Sequence, residues 1–252
     1  MKYAIIGVEG PHDQAFVGKV FQILGFESFK GNAANLDSFW RKFIPTYPKK
    51  GNLYNRLDMP SIVFTDNISV AIYAGEGSNL KTNLDDIIYN NSEYQTNLFA
   101  FGIIADADKE TPQKIAERYA KTFRNYFYNF PQQAGLVDIN NPRTGIYILP
   151  DNISNGVLDI LLYECGKIAY PEYIERAKLY LDLFSEEEKQ FLKWKPFAYE
   201  KALVATVVSV LKPGKTNTVS IKDNNWISER TQQQVSLLAN FIRFCQNILD
   251  IN

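Results

Sequence analysis

The strongest constraint on this chain is a recurring unit: a short, almost unbroken apolar run, then acidic or glycine-bearing residues, then an amphipathic stretch. The run Tyr3-Ala4-Ile5-Ile6-Gly7-Val8 leads into Glu9-Gly10-Pro11-His12-Asp13, and Phe101-Gly102-Ile103-Ile104-Ala105 leads into Asp106-Ala107-Asp108. Runs that are apolar throughout suit strands covered on both faces, the condition of a parallel sheet between helical layers. Strands are therefore expected at 2–8, 61–65, 69–74, 98–105 and 145–149. Helices are expected at 13–24, 83–89, 112–126 and 156–164. In the first helix Phe16, Val17, Val20, Phe21 and Leu24 share one face, with Asp13 placed to cap it. Pro112 suits the start of the third, which turns Ile115, Tyr119, Phe123 and Tyr126 inward. The fold class that follows is α/β: a mostly parallel sheet flanked by helices.

Beyond Pro171 the pattern is helical only, with candidates at 171–184, 186–194, 199–211 and 229–249. An α/β domain over 1–168 is thus expected, with a helical C-terminal region over 169–252 packed on it. Residues 26–60 are less regular. They hold a short helix near 37–43 and a loop with Pro45, Pro48, Lys49, Lys50 and Gly51, read as an insertion at the edge of the core.

Composition narrows the chemistry. Over 252 residues, hydrophobic content of 46% and aromatic content of 14% are ample for a packed core. With Lys+Arg 27 against Asp+Glu 28, a generally basic nucleic-acid coat is excluded, though a local basic cleft is not. No apolar run approaches the roughly 18 residues a membrane span needs, and no signal peptide opens the chain, so a cytoplasmic protein is expected. Cys165 and Cys245, in apolar settings, read as buried reduced thiols. His12 is the only histidine, which excludes zinc sites built on several histidines and two-histidine facial triads. A Ser-His-Asp triad would need His12, and no nucleophile-elbow motif accompanies it. Chemistry is left to carboxylates, a metal, lysine or hydroxyls.

In open α/β sheets ligands gather outside the carboxyl ends of the strands. Glu9, the segment Gly75-Glu76-Gly77-Ser78-Asn79, Asp106 and Asp151 would all lie there. Asp106 and Asp108 would project to one side of an extended run, about 6–7 Å apart. Hard carboxylate oxygens on a rigid support are what Mg²⁺ or Mn²⁺ requires. Acidic residues after strands also serve as ordinary loop and cap residues, and that alternative stays open for each. Lys114, Arg118, Lys121 and Arg124 form a basic stripe that is either a phosphate-binding face or a solvated one. Trp194 and Trp226 could stack bases or simply fill core. Gly75-x-Gly77 lacks the rest of a P-loop.

The order Glu9-Gly10-x-x-Asp13, then Asp106-x-Asp108, each after a buried strand, resembles the Toprim domain. That domain is shared by topoisomerases, bacterial-type primases, recombination mediators and the overcoming-lysogenization-defect (OLD) nucleases. The segment 74–80 is similar to the glycine-bearing stretch of OLD-type members. Pro142-Arg143-x-Gly145-x5-Pro150-Asp151-Asn152-x3-Gly156-x-Leu158-Asp159 resembles more closely a small stand-alone Toprim-like family of unknown function. The resemblance covers roughly residues 2–165 and reaches Lys201 more weakly.

It implies a Rossmann-like sheet and divalent-metal-dependent phosphodiester hydrolysis. Glu9 would be a metal ligand or general acid/base, and Asp106 and Asp108 the metal pair. Asp159 lies where relatives carry an acid, usually Glu, and Asp151 would assist. Lys201 would neutralise charge on the scissile phosphate, or else be a partly exposed helix lysine. Gly10, Gly75, Gly77 and Ser78 would face substrate, and His12, inside the first motif, would either join them or be an ordinary exposed loop histidine. The partners implied are DNA or RNA and an OLD-like ATPase, with a homodimer through the C-terminal helices as a further expectation. The alternative is a non-catalytic scaffold that binds nucleic acid or that ATPase.

Overall fold

A computed structural model describes residues 1–43 and 60–251. The apolar runs become the centre of one seven-stranded sheet of order β2-β3-β4-β1-β5-β7-β6. Its strands are β1 (Lys2–Val8), β2 (Glu27–Ser28), β3 (Ser61–Phe64), β4 (Ile68–Ala74), β5 (Ala100–Asp106), β6 (Val137–Asp138) and β7 (Arg143–Leu149). The central four, β4-β1-β5-β7, are parallel, β3 and β6 run antiparallel to them on either side, and β2 pairs antiparallel with β3 at the edge. The fold is thus α/β with a mostly parallel sheet between helices, as the apolar runs require.

Both faces of the sheet are buried, and strand alternation divides its side chains between two cores. Ala4, Ile6, Val8, Val70, Ile72, Tyr147 and Leu149 point to one face. Ile5, Ala71, Phe101, Ile103, Ala105, Ile146 and Ile148 point to the other. The second face is covered by α2 (Leu80–Tyr89), α3 (Ser92–Asn97) and α4 (Pro112–Phe123). It also receives Leu36, Phe39, Trp40 and Phe43 from the stretch expected to be an insertion. Trp40 Nε1 donates to Ser69 Oγ at 2.8 Å, and Tyr94 OH donates to the Phe39 carbonyl at 2.8 Å. Residues 27–43 are therefore built into the sheet edge and its core. Pro45, Pro48, Lys49, Lys50 and Gly51 lie outside the described residues.

The first face carries α1 (Pro11–Ile23) and most of the C-terminal helices: α5 (Leu158–Ala169), α6 (Pro171–Leu181), α8 (Ala198–Leu211), α9 (Asn217–Asp223) and α11 (Ser236–Leu249). The short α7 (Glu186–Phe191) and α10 (Glu229–Gln234) complete the set. α9 packs on α1, and α11 lies across β5, β6 and β7. Two glycines allow this approach. Gly102 and Gly145 are direct neighbours on β5 and β7. A Cβ on Gly102 would stand 2.7 Å from Ile248 Cδ1, and one on Gly145 would stand 2.9 Å from the same atom. The last helix drops into the space those two residues leave empty.

Several boundaries differ from the sequence expectations. α1 starts at Pro11, with Gly10 as N-cap, because Asp13 caps from inside the helix. The helix expected over 229–249 is two, broken at Val235, which is extended (φ −112°, ψ 104°). α9 and the two-residue edge strands β2 and β6 were not expected. No described helix is long and apolar enough to cross a membrane.

Candidate functional site

The carboxyl ends of β1, β4, β5 and β7 lie along one edge of the sheet. Glu9 follows β1 and Asp106 ends β5; these strands are adjacent, so the two acids meet. Glu9 Oε1 accepts a hydrogen bond from the Asp106 backbone N–H at 3.2 Å. Asp106 Oδ1 accepts from the Leu158 N–H at 2.9 Å. The residue preceding α5, Val157, has no capping side chain, so Asp106 supplies that cap from another strand. Asp108 is held differently. Its N–H donates to the Gly156 carbonyl at 2.8 Å, its backbone is left-handed (φ 49°), and its side chain is exposed.

The glycine segment after β4 closes over Glu9. Gly75 N–H donates to the Val8 carbonyl at 2.9 Å, and Gly77 N–H to the Glu9 carbonyl at 2.7 Å. Gly75 has no room for a side chain, since a Cβ would stand 2.3 Å from Leu80 Cα. Ser78 is exposed and borders a cavity of about 160 Å³ shared with Glu9, Asp106, Asp108, Arg118 and Tyr119. Gly77 positions Glu9 through its backbone.

Asp13 is the residue whose role was underestimated. Its carboxylate accepts the Gly10 N–H at 2.8 Å, as a cap would, but it is only 8% exposed. It also stands within electrostatic range of Glu9, Asp106 and Asp159. Burial and then Asp13 push the Glu9 carboxyl up to about 7. Burial and then Asp159 push Asp13 up to about 6 against the pull of the hydrogen bond from Gly10. Asp106 is raised well above the carboxylate range, first by burial, then by Asp13 and Glu9. Tyr119 lies against the same acids, and burial followed by Glu9 raises its phenol strongly. The signal for Asp13 was its place one helical turn after Glu9; for Tyr119 it was not separable from core periodicity.

Asp159, the second residue of α5, stands within electrostatic range of His12, Lys201 and Asp13. Burial raises its carboxyl, and Lys201 and then His12 oppose the rise. Burial lowers the His12 imidazole; Asp159 opposes that and Lys201 adds to it. The cluster thus has two halves joined by Asp13: Glu9, Asp106 and Asp108 on one side, and Asp159, His12 and Lys201 on the other.

Asp151 is not among these residues. Its Oδ1 accepts from the Ile153 and Ser154 N–H groups at 2.9 and 2.6 Å, and its Oδ2 from Ser154 Oγ at 2.9 Å. It closes its own turn beyond β7. The basic stripe of α4 is also partly committed. Arg118 pairs with Glu110, and Arg124 Nε donates to the Phe130 carbonyl at 2.8 Å. Trp226 is wholly buried, donating to Ser220 Oγ at 3.1 Å, whereas Trp194 is half-exposed.

A divalent cation can be tested against this donor set. The donors are all carboxylate oxygens, hard and anionic, as Mg²⁺ and Mn²⁺ prefer. Glu9 and Asp106 each commit only one oxygen to a backbone N–H among the described residues. Their pKa values are raised first by burial and then by the neighbouring carboxylates, and a cation would offset both. As placed, however, no three His, Cys, Asp or Glu side chains among the described residues converge on one ion position. The donors fit in kind, and side-chain rotation would have to complete the coordination.

An α/β sheet, mostly parallel, with carboxylates gathered at the ends of its central strands defines the class of protein. The chain belongs to the family described as "Protein of unknown function (DUF3226)", whose model matches residues 3–250. It is similar to the crystal structure of a hypothetical protein from Pyrococcus horikoshii OT3, at 16% identity and a TM-score of 0.55. That likeness covers 99% of this chain and 97% of the other, and it concerns the fold alone. No curated protein matches the chain.

Proposed function

We propose that the protein is a Toprim-type phosphodiester hydrolase that depends on Mg²⁺ or Mn²⁺ and acts on DNA or RNA, an OLD-like nuclease. The observation that carries this reading is the Glu9–Asp106 contact at the ends of adjacent parallel strands, with Asp13 and Asp108 close enough to raise both charges' cost. Glu9, Asp106 and Asp108 would hold the cation, with Asp13 behind them. When bound, such an ion activates water and neutralises charge developing on a phosphate. The chain's own residues supply the rest. Glu9, titrating near neutrality, suits proton transfer at its free oxygen. Lys201 offers a cation for a phosphate oxygen on the Asp159 side, and His12 borders the same space.

One observation favours a second reading, a scaffold that binds nucleic acid or an ATPase partner without turnover: the described side chains do not converge on one ion position. Incubation with plasmid DNA, single-stranded DNA and structured RNA, in Mg²⁺ and in Mn²⁺, separates the two. Cleavage lost in both Glu9→Ala and Asp106→Ala supports the hydrolase. Equal cleavage by those variants, or no calorimetric binding of either ion, would sink it.

A further inference from the structure

Residues 192–197, which connect α7 to α8, line an open cavity of about 920 Å³ beside the acidic cluster. Asp108 and Lys109 form one wall, so the cavity opens directly onto the cluster. Lys193, Trp194, Lys195 and Phe197 form the facing wall, with Lys201 between. A second cavity of about 580 Å³ shares Trp194, Lys195 and Phe197, which makes those residues the common wall of one longer groove.

We propose that this groove binds a single strand of nucleic acid, with phosphates on Lys109, Lys193, Lys195 and Lys201 and unstacked bases on Trp194 and Phe197. Delivery of the strand to the carboxylates rests on the phosphodiester reading above; the binding itself does not.

Three features carry the inference. The first is available charge. Lys109, Lys193 and Lys195 form no ion pair with any described residue, in contrast to Arg118 on α4, and Lys201 lies near Asp159 without closing an ion pair. Of the acids that share the groove, Asp108 and Glu110 sit at its cluster end, where Glu110 is already paired with Arg118, and Glu186 and Glu200 line its far end, where Glu186 is paired with Lys189.

The second is aromatic surface beside that charge. Base stacking on aromatic faces along a basic groove is how single strands are held without sequence preference. A duplex keeps its base planes stacked and would leave Trp194 and Phe197 unused.

The third is rigidity. Lys193 and Phe197 both hold left-handed backbones (φ 56° and 63°), a costly conformation for side chains of this size. The turn is tied down by Trp194 N–H to the Lys189 carbonyl at 3.0 Å and Ala198 N–H to the Lys195 carbonyl at 3.0 Å. These contacts fix the backbone of the turn, which lowers the ordering left for binding.

The test uses intrinsic fluorescence of the full chain in EDTA, where no cleavage interferes. Of the three tryptophans, Trp40 and Trp226 are 0% exposed, so quenching by a stacked base reports Trp194. Oligo(dT) and oligo(U) are titrated beside a duplex and thymidine monophosphate, and the tighter of the two single strands identifies the natural source. Quenching by single strands is expected. Affinity read by anisotropy should fall about tenfold in Trp194→Ala, the equivalent of one stacked base. Lys195→Glu, at an exposed position, should weaken binding and flatten the salt dependence by about 0.7 or more. The proposal is overturned if the duplex or the mononucleotide binds as tightly as the single strands. It is equally overturned if both variants bind like the parent. Strand binding without cleavage in Mg²⁺ would sink the hydrolase and leave the groove standing. Cleavage unaffected by Trp194→Ala and Lys195→Glu would do the reverse.

Discussion

The Glu9 side chain accepts a hydrogen bond from the backbone N–H of Asp106, 97 residues further along the chain. That contact joins two strand ends that each look unremarkable in isolation. It also places a carboxylate of raised pKa beside another, and most of what can be tested about the site follows from that crowding.

Replacing the charge but keeping the hydrogen bond should separate stability from function. Glu9→Gln retains an oxygen for the Asp106 N–H and removes one of the crowded charges. Cleavage should disappear, while stability at pH 8 in EDTA rises by about 1 kcal/mol, or about 3 °C in Tm for a chain of this size. Thermal melts beside activity assays check it, and a lowered Tm would show that the Glu9 charge stabilises the fold.

The pH dependence has a definite sign. Glu9 and Asp13 are raised in the folded protein to about 7 and about 6, above their unfolded values. Both are protonated in either state at low pH, so nothing is lost there. As pH rises through the unfolded and then the folded values, the folded state holds more protons and stability falls. The loss from Glu9 should be about 2 kcal/mol between pH 5 and 8, allowing for its partial exposure. Urea unfolding in EDTA measures it; Glu9→Gln should flatten the slope, and Mg²⁺ or Mn²⁺ should restore stability mainly at the higher pH.

The glycine pair under α11 predicts a specific coupling. Gly102→Ala pushes a methyl against Ile248 Cδ1 and Ile6 Cδ1, at 2.7 and 2.8 Å, and should cost about 1–3 kcal/mol. Ile248→Val removes one of those methyls and alone costs about 0.5–1.5 kcal/mol. The double variant should lose less than the sum, because half the obstacle is gone. Simple additivity in denaturation midpoints would mean that α11 does not seat as described.

Neither thiol should be reactive in the native state. Cys165 and Cys245 are buried, and burial pushes the Cys165 thiol up to about 12 and Cys245 higher still. A disulfide-exchange reagent should modify neither until the protein unfolds, and both afterwards. Rapid native labelling of either would place it at an open surface.

The parallel centre of the sheet was readable because its strands are apolar throughout and end in acids or glycine. Edge strands β2 and β6 have two residues each, too few for any periodicity, and they exist only because β3 and β7 offer a partner. The seven residues of α9, Asn-Thr-Val-Ser-Ile-Lys-Asp, carry no helical stripe of their own and are fixed by packing on α1. Within the site, Glu9 and Asp106 were readable as strand-end acids, and only the adjacency of β1 and β5 brings them together. Asp13 looked like a cap, and it is one, but only three dimensions show that its carboxylate also faces Glu9, Asp106 and Asp159. Asp151 looked equivalent to the other strand-end acids, yet its oxygens are consumed by Ile153 and Ser154 in a local turn. The groove at residues 192–197 depends on two left-handed backbones at Lys193 and Phe197, neither a glycine, so composition did not announce it.

The seating of α11 on Gly102 and Gly145 carries a consequence for the order of events in synthesis. Strands β5 and β7, which end in the acidic cluster and its neighbouring turn, stay uncovered on one face until Phe244 and Ile248 have been made. A ribosome that has produced every residue named in the site has therefore still not produced a site. The acidic edge waits on the last two turns of helix, and a nascent chain paused before them exposes an apolar sheet to whatever chaperone, or aggregate, reaches it first.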